Sequence, residues 1–240
     1  MKIIELQQTD STNSWLSARA GELEGECLVY ALSQTAGRGQ RGNSWESEPG
    51  KNLTASILLH PAGVLPQCQF VISEAVALAV TDFLADLGLD AMVKWPNDIY
   101  VGDRKICGIL IEHAVMPGVI MRTIAGIGIN INQRQFVSDA PNPVSVWQLT
   151  GNEYEIPSLA EKLAAHVENR MKEVCDGTLH SEFMRKLWRG DGNLYDFYDR
   201  NAGEHVSARI KSVAPDGMLT IETASGELRT FAFKEIEFLL

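Results

Sequence analysis

The stretch KICGILIEHAVMPGVIMRTIAGIGININ, residues 105–132, decides the fold of this 240-residue chain. Two long apolar runs, Lys105–Val115 and Val119–Asn132, flank the turn-forming pair Pro117-Gly118. Runs of this composition on either side of a short turn predict two antiparallel strands joined as a hairpin. We therefore expect this hairpin to be a principal part of the sheet.

The residues before the hairpin extend it into a meander. Met92–Trp95 and Ile99–Val101 have the composition of short strands, and each is followed by a turn of polar residues. Farther upstream, apolar residues recur at helical spacing between Pro66 and Leu87. This order of elements predicts an α+β fold, with an antiparallel meander and helices on one side of it.

From about residue 191 the pattern changes to short strands with frequent turn signals. His205–Val213, Met218–Thr223, Leu228–Phe233 and Ile236–Leu239 are the clearest of these strands. Closely spaced short strands predict a small β-barrel as a second domain. The predicted division is therefore a first domain of residues 1–190 and a second of residues 191–240.

The charge of the chain excludes one class of function. Charged residues make up 22% and apolar residues 45% of the sequence, as in ordinary soluble globular proteins. The formal net charge is −10. Binding to duplex nucleic acid requires a basic surface that neutralises phosphates. We therefore expect no DNA partner.

Cysteine usage and hydropathy bear on location. The four cysteines show no paired C-x-x-C spacing, as is typical of free thiols in a reducing compartment. The N-terminal MKIIELQQTD becomes polar too early for a secretory signal. The apolar stretch Phe70–Leu89 is interrupted by Glu74, Asp82 and Asp86, which argues against a membrane span. We expect a cytoplasmic protein without a membrane partner.

Residues 37–45, GRGQRGNSW, form the most unusual loop in the chain. The glycines match G-x-G-x-x-G, but a Pro-Gly pair soon follows, so the helix that a dinucleotide site requires cannot form. Glycines let a backbone approach a ligand closely, and Arg38 and Arg41 offer forked donors for carboxylate or phosphate. The loop predicts an anion-binding clamp. The alternative is a flexible surface turn with solvated arginines.

Lys94-Trp95-Pro96-Asn97-Asp98 is a second unusual run, at the join of two predicted strands. An aspartate beside an amide and an ammonium group could hold Mg²⁺ and nucleotide phosphates. The same residue types also form ordinary turns, which is the alternative interpretation.

The hairpin itself carries candidate binding residues. Lys105 begins an apolar strand, where a cation is either solvated or available to neutralise a ligand. Gly126 and Gly128 lie within the other strand, and glycine weakens a strand unless another group approaches closely. Asn130 offers a donor and an acceptor that could bind an adenine edge, or it is a turn residue at the strand end.

Two negative observations narrow the chemistry. The five histidines lie on separate elements without metal-ligand spacing, and no G-x-S-x-G nucleophile motif is present. These absences favour an enzyme that positions and neutralises substrates while the substrates themselves react.

Taken together, five motifs resemble those of biotin protein ligases. They are Ser11-Thr12-Asn13, the loop from Gln34 to Trp45, Lys94–Asp98, Arg104–Leu110 and Gly126-x-Gly128-x-Asn130. Their order and spacing match over residues 9–132, and the C-terminal β-domain is similar as well. We expect a form without the N-terminal DNA-binding domain that some members of this family use as repressors.

The resemblance implies a two-step reaction. The carboxylate of biotin attacks the α-phosphate of ATP to give biotinyl-5′-AMP, and a lysine of a biotin carboxyl carrier protein then attacks the mixed anhydride. This activity is that of a biotin--[acetyl-CoA-carboxylase] ligase, with ATP and biotin as substrates and Mg²⁺ as cofactor. The implied fold is a core like that of class II aminoacyl-tRNA synthetases, with a mixed, largely antiparallel sheet, followed by an SH3-like β-barrel.

The resemblance also implies residue roles. Arg38 would hold carboxylate and phosphate, Lys105 would neutralise charge at the α-phosphorus, and Asp98 would bind Mg²⁺. The residues expected to bind biotin are Ser11, Thr12, Asn13, Gln34, Gly37, Arg38, Lys105, Gly108 and Leu110. Those expected to bind the nucleotide are Arg38, Arg41, Trp45, Lys94, Asn97, Asp98 and Asn130.

One residue departs from the family pattern. Many relatives have G-R-G-R-R-G, whereas Gln40 stands here at the second arginine. Glutamine donates hydrogen bonds but carries no charge, so we expect a weaker hold on the adenylate. The alternatives are a lipoate ligase or lipoyl transferase of the same superfamily, and a non-catalytic sensor of biotinyl-AMP or a transcriptional regulator. Either a monomer or a homodimer is compatible with the sequence.

Overall fold

The structure, a computed structural model, describes residues 1–138 and 142–239, and only the backbone of Arg41. A seven-stranded sheet forms its first part. The strands are β1 (Lys2–Leu6), β2 (Cys27–Ala31), β3 (Leu53–Leu59), β4 (Met92–Lys94), β5 (Asp98–Val101), β6 (Arg104–Met116) and β7 (Val119–Ile129). Their spatial order is β1-β2-β3-β7-β6-β5-β4.

The sheet is mixed but largely antiparallel. β1 and β2 are parallel, whereas every other neighbouring pair runs antiparallel. The hairpin predicted from residues 105–132 is formed by β6 and β7, which pair from Cys107 opposite Ile129 to Met116 opposite Val119. The predicted α+β fold with a mixed sheet is therefore confirmed.

Helices cover both faces of this sheet. They are α1 (Thr12–Arg19), α2 (Phe70–Ala85), α3 (Val146–Thr150), α4 (Ile156–Met171) and α5 (Leu179–Arg185). Buried residues of α2 and α4 pack with Leu28 and Ile57 in the main core. Leu16 of α1 instead packs with Val29 and Leu58, whose side chains point to the opposite face.

The expectation of helices on one side only is therefore wrong. The main core lies under α2 and α4, and α1 covers part of the other face. The eight residues of α1 bury only Leu16 as an apolar side chain, so the sequence carries too weak a pattern to show which face the helix covers. The face under α1 is where the candidate site lies.

A five-stranded antiparallel sheet follows in the C-terminal part of the chain. Its strands are β8 (Tyr195–Asp199), β9 (Glu204–Val213), β10 (Leu219–Thr223), β11 (Leu228–Phe231) and β12 (Ile236–Phe238), in the order β11-β10-β9-β8-β12. Trp95 Nε1 donates to the carbonyl of Gly217 at 2.9 Å, which joins this sheet to the first part. The domain boundary at residue 190 stays a prediction.

One segment has the length of a membrane span. Pro66–Ala85, which contains α2, is apolar enough to cross a membrane by composition, but 67% of its most apolar window is buried inside the protein. This burial is that of a core helix, because the apolar surface is covered by the sheet and α4.

Candidate functional site

Small residues on the sheet face under α1 form the floor of a cavity of about 1180 Å³. Gly108 of β6 lies opposite Gly128 of β7, and Leu110 lies opposite Gly126. Because side chains alternate along a strand, these positions face the cavity, while Ile109 between them packs in the main core. Because glycine has no side chain, the paired glycines leave room for a flat group to lie against the sheet.

Trp45 lies across the paired glycines of this floor. A methyl carbon placed on Gly128 would be 2.5 Å from Trp45 Cε2, and one on Gly108 would be 2.9 Å from Cζ3. Only glycine leaves room for the indole at these positions. The expectation that a group closely approaches this strand is thus confirmed, and at Gly128 the group is Trp45. Its Nε1 is buried without a hydrogen-bond partner in the described part of the chain.

The glycine loop is a short, tightly closed hairpin. Trp45 N donates to Gly37 O at 3.0 Å, and Gly39 N donates to Asn43 O at 2.7 Å. A 3₁₀ turn, Gln40–Gly42, forms its tip. No α-helix follows the glycines, as predicted. Gln40 borders the cavity, and the side chain of Arg41, a predicted nucleotide ligand, lies outside the described residues.

Polar groups from α1 and the loop meet at one end of the cavity. Ser11 is the N-cap of α1, yet its side chain makes no capping hydrogen bond. Instead, Gln34 Oε1 accepts from Thr12 N at 2.8 Å and from Thr12 Oγ1 at 3.1 Å. Because Oε1 is engaged by Thr12, the group that Gln34 can offer to a ligand is its Nε2 donor.

Asn13 holds this end of the site together. Its Oδ1 accepts from Ser56 Oγ at 2.5 Å, and its Nδ2 donates to Glu112 Oε2 at 2.9 Å. The amide lies directly on Gly126, where a methyl carbon would collide with Asn13 Oδ1. Both ends of the Asn13 amide therefore contact protein, which suits a positioning role better than direct contact with a ligand.

Arg38 reaches the same end and forms an ion pair that the sequence did not predict. Its Nη2 lies 2.5 Å from Glu112 Oε1, and its Nη1 donates to Ser14 Oγ at 3.3 Å. Its side chain is 44% exposed. Glu112 was missed because no motif marks it. The only signal is a carboxylate within an apolar strand.

Lys105 and Asp98 form an ion pair at the other side of the glycine floor. Lys105 Nζ is 2.6 Å from Asp98 Oδ1, and the two side chains are 25% and 18% exposed. Lys105 Nζ also lies 5.7 Å from the centroid of the Trp45 ring. The glycine loop, β5 and the start of β6 therefore meet at this point.

A shift in strand register directs Lys105 into the cavity. Ile99 of β5 lies opposite Cys107, but the next residue, Tyr100, lies opposite Lys105, so that Ile106 is an extra residue in β6. Such an extra residue reverses the alternation of faces, so that side chains on its two sides no longer follow one pattern. Lys105 consequently shares a face with Gly108 rather than with Cys107.

The residues Lys94–Asp98 border the cavity and contact the strands around it. Asn97 Nδ2 donates to Ile109 O at 2.7 Å, and so contacts protein. Lys94 Nζ lies 5.2 Å and 5.3 Å from the ring centroids of Tyr100 and Phe238. Burial lowers the pKa of Lys94, and the nearby Asp98 carboxylate opposes that shift. Both residues border the cavity, as does Asp98.

Asn130 borders the cavity just beyond the end of β7. The residue is 3% exposed, and its Nδ2 donates to Val144 O at 3.0 Å. Its Oδ1 is buried and has no hydrogen-bond partner among residues 1–138 and 142–239. A buried acceptor without a donor is unfavourable, so this atom is available for a ligand donor.

The second sheet closes one side of the cavity with residues that the sequence motifs do not include. They are Arg200, Phe233, Lys234, Ile236, Glu237, Phe238 and Leu239. Arg200 Nη2 is 2.6 Å from Glu237 Oε2. These positions lie 70 to 109 residues beyond Asn130, the last motif residue, and no local pattern links them to the site.

Comparison with known proteins gives a consistent relationship. Residues 3–132 match the Biotin/lipoate A/B protein ligase family. The biotin--[acetyl-CoA-carboxylase] ligase of Paracoccus denitrificans is 33% identical over 175 residues, covering 66% of this chain and 68% of that protein. The bifunctional ligase/repressor BirA of Salmonella typhimurium is 38% identical over 134 residues, covering 55% of this chain. The matched region spans 42% of that BirA, less than half its length.

Solved structures show the same fold. The biotin protein ligase from Aquifex aeolicus in complex with biotin and ATP aligns with a TM-score of 0.77 at 22% identity, over 99% of this chain and 98% of that one. The biotin protein ligase from Leishmania major in complex with biotin aligns with a TM-score of 0.63. This likeness bears out the expected fold, which these biotin protein ligases share.

Proposed function

Because the chain belongs to the biotin/lipoate A/B protein ligase family, we propose that it is a biotin--[acetyl-CoA-carboxylase] ligase. In the first step, a carboxylate oxygen of biotin attacks the α-phosphorus of ATP, and pyrophosphate leaves. In the second step, a lysine amine of a biotin carboxyl carrier protein attacks the carbonyl carbon of biotinyl-5′-AMP, and AMP leaves.

The observation that carries this proposal is the placement of two cations on opposite sides of one glycine floor. Arg38 comes from the loop and Lys105 from β6, and both border the same cavity. A carboxylate and a phosphate repel each other, so bringing them together requires fixed positive charge around them. The proposed roles are that Arg38 holds both anions and Lys105 neutralises charge at the α-phosphorus.

The polar end under α1 suits the uncharged head of biotin. Ser11, Thr12 and the Nε2 donor of Gln34 border this end, and a ureido group needs both donors and acceptors. Gly108 and Leu110 line the adjoining floor and would contact the apolar part of biotin. Gly37 is proposed to shape the loop rather than to contact biotin, because its carbonyl accepts from Trp45 N.

The opposite end suits adenosine. Trp45 offers a flat indole above the glycines, and the unpartnered Asn130 Oδ1 can accept from the 6-amino group of adenine. Asp98 provides one carboxylate beside the cavity. Mg²⁺ is commonly bound by one or two carboxylates together with substrate phosphates, so this donor fits the ion. Bound there, Mg²⁺ would shield the phosphate charge.

The acceptor and the setting are also proposals. We propose a carrier domain of a biotin-dependent carboxylase as protein substrate, a cytoplasmic location, and no DNA binding, in keeping with the net charge of −10.

The weaker hold on the adenylate expected from Gln40 stays a prediction, which adenylate release from a Gln40→Arg variant would test. A slower release in that variant would support it.

The proposed function predicts biotin-dependent pyrophosphate exchange. Purified protein with Mg²⁺ should incorporate radiolabelled pyrophosphate into ATP when biotin is added, because adenylate formation is reversible. Without biotin, or with lipoate in its place, we expect only background. Folded protein that shows no exchange with biotin would reject the proposal, and exchange with lipoate alone would favour a lipoate ligase.

The single acceptor offered by Asn130 predicts selectivity for the adenine 6-amino group. Purine riboside triphosphate, which lacks this group, should show a KM at least about tenfold above that of ATP, since a buried acceptor stays unpaired. GTP, whose O6 is an acceptor, should be poorer still. The measurement is pyrophosphate exchange as a function of nucleotide concentration. Equal KM values for ATP and the purine nucleotide would contradict this role of Asn130.

A further inference from the structure

Glu112 lies at a junction that none of the binding motifs includes. Its two carboxylate oxygens contact side chains from two different segments: Oε1 pairs with Arg38 of the glycine loop, and Oε2 accepts from Asn13 at the start of α1. Glu112 is on β6, on the same face as Gly108 and Leu110 of the cavity floor. One residue therefore connects three parts of the site.

We infer that Glu112 is a positioning residue, which holds the Arg38 guanidinium and the Asn13 amide in place before substrates bind. The catalytic part of this inference rests on the proposed ligase function. The other described contact of Arg38 at this end is with the hydroxyl of Ser14, at 3.3 Å. The Glu112 carboxylate is thus the described ion-pair partner of Arg38, whose side chain is 44% exposed, while the Asp10 carboxylate interacts with Arg38 over a longer range.

Positioning Arg38 in advance matters because a ligand would otherwise have to order the side chain when it binds. A free arginine side chain on a loop samples many rotamers, and ordering it on binding weakens affinity. Asn13 is subject to the same argument, because Ser56 and Glu112 together fix the orientation of its amide. Glu112 therefore affects the biotin-binding end of the cavity without touching the ligand.

The chemistry of glutamine makes Glu112→Gln a sharp test. A carboxylate presents two acceptors, whereas an amide presents one acceptor and one donor. Both partners of Glu112 are donors, namely Arg38 and the Asn13 Nδ2 group. Whichever way the amide is turned, it places a donor against a donor at one of the two contacts. The substitution keeps the size of the side chain, so packing is preserved.

The first experiment needs no substrate. Limited trypsin digestion of the free protein, followed by mass spectrometry, measures cleavage after Arg38. In Glu112→Gln we expect cleavage after Arg38 to be at least about fivefold faster than in wild type, because a released arginine enters the protease more readily. The matched control is Glu153→Gln, which breaks the exposed Arg134–Glu153 ion pair at 2.8 Å. Cleavage after Arg38 should be unchanged in this control.

The second experiment separates positioning from catalysis. In pyrophosphate exchange, Glu112→Gln should raise the KM for biotin about tenfold with kcat changed less than about threefold, as expected when binding alone is affected. The same substitution made in an Arg38→Gln background should raise the KM for biotin much less than it does in wild type. The reason is that the effects of two residues that act through each other are not additive. Glu153→Gln should match wild type.

The outcomes are distinguishable. Wild-type protein that fails to exchange would reject the ligase function, while the trypsin result would still decide whether Glu112 holds Arg38. Unchanged cleavage after Arg38 in Glu112→Gln would overturn the inference, as would unchanged KM for biotin in an active enzyme. Fully additive losses in the double variant would show that Glu112 does not act through Arg38, and would also overturn it.

Discussion

Replacing Lys105 with alanine should lower biotin-dependent pyrophosphate exchange about a thousandfold or more, because a fixed charge aimed at the reacting phosphate is lost from a partly enclosed site. A second effect also lowers the exchange rate. Lys105 Nζ lies 2.6 Å from Asp98, so the variant leaves a carboxylate without its ion-pair partner. That negative charge would then face an incoming triphosphate, unless Mg²⁺ compensates for it.

Exchange rates at saturating biotin and ATP, together with thermal unfolding, test this prediction. Arg104→Ala is a matched control, because Arg104 is an exposed cation next to Lys105 on β6. It should retain wild-type exchange. A folded Lys105→Ala variant with exchange within about tenfold of wild type would remove Lys105 from the catalytic role, since general charge stabilisation of this kind accounts for larger effects.

Gly128→Ala is expected to have the second largest effect, and it acts on the nucleotide. The added methyl would lie 2.5 Å from Trp45 Cε2 and 2.7 Å from Nε1, so the indole must leave the floor. The displaced indole would then no longer offer its flat face to the base at the position set by the paired glycines. We expect the KM for ATP to rise about a hundredfold, as overpacking of a close-fitting site prevents binding.

The same exchange assay, run against ATP concentration, measures this effect. Gly21→Ala is the matched control, since a methyl group there meets no described atom within 4 Å. Its KM for ATP should equal that of wild type. Gly128→Ala should still unfold cooperatively on heating, because the displaced ring lies outside the main core. An unchanged KM for ATP would show that nucleotide binding does not depend on the Trp45 indole held on this floor.

Local patterns predicted the elements that carry these tests. The two apolar runs of residues 105–132 predicted β6 and β7, because alternating burial and a Pro-Gly turn are properties of adjacent residues. Gly126 and Gly128 predicted a close approach, since an unfavourable residue inside a strand needs a structural reason. The arrangement of helices was predicted less well, because the short apolar stripe of α1 does not show which face of the sheet it covers.

Pairings between distant segments were not predictable in the same way. Glu112 meets Arg38 and Asn13 across separations of 74 and 99 residues. Asn13 and Asn97 border the cavity, and their side chains also hydrogen-bond to protein groups that no local pattern predicted. Their contact with ligand stays a prediction. The second sheet is joined to the first part of the chain beside the cavity by contacts that include Trp95 and Phe70 at its turn at Gly217.

The sequence by itself determined the chemical groups of this protein: the strand pattern, the glycine loop, and the cations suited to a carboxylate and a phosphate. The tertiary structure alone decided where those groups point. Lys105 shows the physical reason. The extra residue in β6, Ile106, turns the Lys105 side chain from the core face to the cavity. Such a shift depends on which residues of β5 lie opposite, and the composition of β6 does not contain that information.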